Sequence, residues 1–86
     1  MKGEPTTHYL KTWPKFFEDV WSGVKRFEYR KNDRNFQVGD MLALEEYDPE
    51  KGYLERRIKM TVTRLYTSKD VPGLPSDYVL MVIESL

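Results

Sequence analysis

The sequence predicts an α+β fold, a small, mostly antiparallel β-barrel with one amphipathic helix packed against it. Three observations lead there. One stretch, residues 13–24, carries apolar residues at helical spacing. Nearly everything after it alternates, or runs apolar in short segments bounded by Gly, Pro, Asn and Asp. The chain has only 86 residues, which leaves room for one small core. A short curled sheet closed over a single helix is the simplest way to bury both.

The polar residues 1–6 are expected to form a flexible N-terminus, with one domain over residues 7–86. Tyr9–Thr12 suits a short strand. Trp13, Phe16, Phe17, Val20, Trp21 and Val24 form one stripe, with Lys15, Glu18, Asp19 and Ser22 opposite, and predict a helix over Trp13–Ser22. Thr12 is placed as its N-cap, Pro14 fits the first turn, and Gly23 suits the end. Phe16, Phe17, Val20 and Trp21 are expected to pack on the sheet.

Strands follow. Phe27 and Tyr29 alternate with Arg26, Glu28 and Arg30, which places the charged residues on one face and the rings on the other. Val38-Gly39-Asp40 reads as a turn into a strand over Met41–Tyr47, and Asp48–Gly52 as a hairpin loop. The return strand, Tyr53–Thr67, places Ile58, Met60 and Val62 on one face and Lys59, Thr61 and Thr63 on the other. Val71–Pro75 is a proline-rich loop. Tyr78–Ile83 is apolar throughout and reads as a strand covered on both faces.

Composition removes several functional classes. The chain has no cysteine, which excludes disulfides, thiolate catalysis and cysteine-ligated metals, and its single histidine excludes a histidine-rich centre. No metal and no cofactor are expected. No apolar run approaches the ~18 residues of a membrane span, and MKGEPTTHYL lacks the apolar stretch of a signal peptide. A soluble cytoplasmic protein with no membrane partner is expected. The net charge is zero, but it is blocked: +3 over residues 1–34, −5 over 35–50, +5 over 51–69 and −3 over 70–86. Such blocks allow a locally cationic surface on a neutral molecule.

The densest polar constellation is Lys25–Arg34. Arg30 suits a bidentate grip on phosphate or a base edge, and Lys11 and Arg34 suit phosphate contacts. Asn32-Asp33 has turn chemistry. His8 opens the strand leading to Lys11. Tyr9, Tyr29 and Tyr53 are of the type that stacks bases, whereas Arg56, Arg57 and Lys59 read as a solubilising strand face. Lys25 and Glu28 have the chemistry of an acid–base pair, yet a carboxylate beside a lysine opposes the proton loss that a lysine base needs. The candidate binding set is therefore His8, Lys11, Lys25, Glu28, Arg30, Asn32 and Arg34.

The run Gly23-x-Lys25-x-x-Glu28-x-Arg30, followed by Phe36-x-Val38-Gly39-Asp40, resembles the signature of ASCH domains in the PUA-like superfamily. His8-x-Leu10-Lys11, the segment Phe27–Asp40 and the hairpin Glu46–Tyr53 resemble most closely a family of uncharacterised ASCH-like proteins of Gram-positive bacteria and their phages, across about His8–Ile83. The resemblance implies a small barrel with a cleft at the helix end, lined by the Gly-x-Lys and Glu-x-Arg residues. It also implies RNA or a nucleotide-like molecule as ligand. One ASCH branch hydrolyses acetylcytidine with a lysine, a threonine and a glutamate. Its lysine matches Lys25, and Glu28 stands where it has threonine.

Three functions follow as expectations. The first is an RNA- or nucleotide-binding module centred on Lys25–Arg34. The second is an amidohydrolase acting on a modified nucleoside, with Lys25 and Glu28 catalytic. The third is a phage accessory protein that binds a host protein through a sheet edge. The first two require a concave site holding Lys25, Glu28 and Arg30; the third requires a flat face with those side chains in water.

Overall fold

The computed structural model describes residues 3–86. The elements run β1 (Thr7–Thr12), α1 (Pro14–Trp21), β2 (Phe27–Lys31), β3 (Met41–Asp48), β4 (Gly52–Tyr66) and β5 (Tyr78–Ser85). The five strands form one sheet in the order β1-β3-β4-β5-β2. β1 pairs parallel with β3, and the other three pairings are antiparallel. The expected α+β class holds, but the barrel is not closed: β1 and β2 are the two edges of a curled half-barrel. Of residues 1–6, expected to be flexible, the first two lie outside the described residues. Thr6 is held by bonds to Asp40 and Met41.

The curl comes from β4. Its first part pairs with β3 and its second with β5. The register shifts between Val62 and Arg64, where Thr63 is the extra residue on β4. An extra residue on one strand bends it and raises its twist, so the 15-residue strand serves both halves of the sheet. The concave face carries the core. Leu10, Leu42, Leu44, Met60, Val62, Val79, Met81 and Ile83 are buried there beneath Phe17 and Val20 of α1. Leu80 and Val82 on the other face of β5 are only half-buried, so that strand is not covered on both sides as expected.

The helix departs most from expectation. Phe17 and Val20 are buried, but Phe16 and Trp21 are 43% and 49% exposed, and Trp13 and Val24 more so. At 100° per residue the run from Phe16 to Trp21 spans an arc of about 140°. A two-turn helix lying on a curved sheet covers only the middle of that arc. Phe16 is left on one flank and Trp21 on the other. Thr12 is not the N-cap: Trp13 holds that position with no side-chain bond. The Thr12 hydroxyl is engaged with Leu10 O and Arg30.

The Trp21 flank is covered by an arginine. The Arg56 guanidinium lies 5.0 Å from the Phe17 ring centroid and 5.1 Å from that of Trp21. It grips both oxygens of the buried Glu46 and also reaches Glu18 on α1. Its bonds to Glu46 first, then Glu18, hold it above the ordinary arginine range. Arg56 therefore fastens the helix to the sheet, where only a solubilising role was expected. None of the described helices is long and apolar enough to cross a membrane.

Candidate functional site

The site begins where α1 ends. Gly23 has φ +86°, in the left-handed region that favours glycine. Its N–H donates to Val20 O, and the N–H of Lys25 donates to Asp19 O. The chain thus reverses within two residues and delivers Lys25 beside the start of β2. That geometry accounts for Gly-x-Lys in the sequence.

β2 is an edge strand worn inside out. Glu28 points inward and is 2% exposed, while Phe27 and Tyr29 face outward, each 45% exposed. The inward carboxylate is satisfied by cations on both sides. Lys25 Nζ donates to Glu28 Oε1 at 2.6 Å and to Phe27 O at 2.8 Å. Arg30 Nε donates to Glu28 Oε2 at 2.8 Å. Arg30 then spans the gap between the sheet edges, with Nη2 donating to Lys11 O at 3.0 Å and lying 3.4 Å from Thr12 Oγ1. A charge turned inward also guards an edge strand against pairing with another chain.

This triad forms the floor of a cleft of about 660 Å³ between the two edges. Its lining also includes the rings of Trp13, Phe16, Phe27 and Tyr29, with Val24 and Asp19. Lys25 and Arg30 are partly exposed at 14% and 27%, and Glu28 is nearly covered. The arrangement is concave, as the two ligand-binding readings required.

The structure divides the candidate set. Lys11, Lys25, Glu28 and Arg30 meet in the cleft. His8, Asn32 and Arg34 do not line it. His8 is 6% exposed; its Nε2 lies 2.8 Å from Asp40 Oδ2, and its ring meets Phe36 edge-on. Asp40 also accepts the N–H groups of Thr6 and Gln37, so His8 helps fix the entry to β3. Asn32 Oδ1 accepts Phe36 N–H and shapes the turn after β2. Arg34 Nη1 donates to Tyr9 O, a second tie from the β2 side to β1. Among the described residues no group of three or more His, Asp or Glu is placed to hold a metal.

The cleft aromatics Trp13, Phe16 and Phe27 were missed as site residues because helical and strand periodicity assigns apolar positions to the core. The available signal was an apolar arc wider than a helix of this length covers.

A curled mixed half-barrel with one helix, carrying a cleft beside a buried ion-pair triad, places the protein in the class of small α+β domains. Within that class, residues 7–83 match the model of the family described as "Domain of unknown function (DUF3850)", and the chain belongs to that family. It is also similar to an "Uncharacterized 12.9 kDa protein in GpA 3'region" of Escherichia phage P2, with 35% identity over 74 residues, covering 86% of this chain and 64% of the relative. The match thus spans less than two thirds of that relative's length. Of the expected ASCH-like family of Gram-positive bacteria and their phages, an uncharacterised family with a phage member is what these matches support, and that phage infects Escherichia.

Proposed function

We propose that the protein is an ASCH-like, PUA-like module that binds RNA or a nucleotide-like ligand in the cleft between β1 and β2. One observation carries this reading: exposed aromatic rings and partly exposed cationic donors line the same cleft, with the Lys25 ammonium 4.9 Å from the Phe27 ring centroid. Trp13, Phe16 and Phe27 are each more than 40% exposed, the disposition that stacks unpaired bases. On the floor, Arg30 Nη1 takes part in none of the bonds among the described residues, and Lys25 spends two of its three N–H donors on Phe27 O and Glu28. The remaining donors suit the carbonyl and ring-nitrogen acceptors of a base edge, or a phosphate.

The same geometry favours binding over hydrolysis. Each Glu28 oxygen accepts a bond from a cation and the side chain is only 3% exposed, so little of the carboxylate faces a water in the cleft.

The test is fluorescence anisotropy with a labelled single-stranded oligoribonucleotide at low salt. Wild type is expected to bind, and Trp13→Ala and Phe16→Ala to weaken binding about ten-fold each. Absence of binding at low salt would overturn the reading in favour of a protein partner.

A further inference from the structure

Lys11 belongs to two places at once. It lines the cleft, and its ammonium also lies 4.5 Å from the Tyr47 ring centroid and 5.8 Å from that of Tyr53, on the far side of β1. The two tyrosines flank the β3–β4 turn and meet edge-on at 5.0 Å. Tyr53 is 58% exposed, so its ring is open to a stacking partner. Lys25 and Arg30 share Glu28, Arg56 holds Glu46 and Glu18, and Arg57 reaches Glu45. Lys11, in contrast, forms no ion pair among the described residues. Its cross-strand neighbour Glu45 bonds Arg57 instead, and its ammonium lies between the cleft and an exposed ring.

Resting on the nucleotide-binding reading above, we propose that the ligand is a single-stranded polynucleotide rather than a free nucleotide. One base occupies the cleft, the following phosphate sits on Lys11, and the next base stacks on Tyr53. The spacing of functions supports this order: ring wall, cation, ring, as a chain of alternating bases and phosphates requires. The track is also bounded. Beyond Tyr53 the turn carries Asp48 and Glu50 against Lys51, a net negative charge that disfavours a further phosphate. The site therefore takes a short segment of about two nucleotides, within or at the end of a longer strand.

The experiment measures binding of oligouridylates and oligoadenylates of one to six nucleotides to wild type, Tyr53→Ala, Tyr53→Phe and Lys11→Gln. Affinity should rise on the order of ten-fold from the mononucleotide to the dinucleotide and then level off. Tyr53→Ala should remove that rise and leave mononucleotide affinity unchanged, while Tyr53→Phe, which keeps the ring, retains it. Lys11→Gln should weaken every ligand carrying the bridging phosphate. Equal affinity for mononucleotide and dinucleotide, or a rise untouched by Tyr53→Ala, overturns the track while leaving the cleft as a mononucleotide site. No binding by any member of the series overturns both.

Discussion

Arg30 on β2 donates to the main-chain carbonyl of Lys11 on β1, across a seam where the sheet makes no backbone ladder. Arg34 repeats the tie one register step away, at Tyr9 O. Side chains thus hold together the two edges that a closed barrel would join by strand pairing. The gap they leave is the cleft. The same guanidinium that spans it also fixes Glu28, so the fold and the candidate site share one group.

Glu28→Ala should therefore do more than remove a surface charge. It leaves Lys25 and Arg30 facing each other over a mostly covered position. Losing one partner of a buried pair costs ~3–5 kcal/mol when both are fully enclosed. The partial exposure of the two cations reduces this to about 2 kcal/mol. Chemical denaturation checks it, with Glu28→Gln expected to be milder because it keeps an acceptor.

Phe17→Ala and Phe16→Ala should separate sharply. Phe17 is fully buried and Phe16 is 43% exposed. Truncating Phe17 is expected to cost ~3–5 kcal/mol, close to the whole stability of a domain this size. Phe16→Ala should shift Tm only slightly while weakening ligand. Equal Tm values for the two variants would contradict the placement of the helix.

Gly23→Ala should destabilise by roughly 1 kcal/mol, because a Cβ is strained at φ +86°. Apart from its chain neighbours, no atom lies within 4 Å of the position such a Cβ would take, so the cost is local backbone strain rather than a tertiary clash. Because this turn aims Lys25, ligand affinity should fall along with stability. Thermal melts and anisotropy on one preparation read both effects.

Binding should weaken as salt rises, since each neutralised phosphate releases counterions. Lys11→Gln should reduce the slope of log K against log salt by about 0.7, the value for one phosphate of a single strand. Lys69→Gln, in the loop after β4 and outside the cleft lining, should leave it unchanged.

Much of the architecture was legible from period and punctuation. Ile58, Met60 and Val62 face inward as their alternation implied, and Gly23 closes the helix as its position implied. The Lys25, Glu28 and Arg30 grouping was readable because strand alternation and a helix-end glycine bring them together. What escaped was governed by tertiary packing. Nothing local marks the charged face of β2 as the inward one, since the cations that satisfy Glu28 come from the helix end and its own strand only once the sheet curls. The burial of His8 depends on Asp40, 32 residues away. Closure of the barrel depends on how far the Val62–Arg64 bulge turns β4, a quantity that hydrophobic pattern does not encode.

The most direct test of the central claim is an amide and indole chemical-shift titration of isotopically labelled protein with a single-stranded trinucleotide. The account predicts the largest, saturable shifts at the Trp13 indole and the amides of Lys11, Lys25, Phe27, Tyr29 and Arg30, with Tyr53 following and the amides of Arg57 and Lys59 unmoved. Saturable shifts centred on Arg57 and Lys59, with the cleft silent, would contradict it.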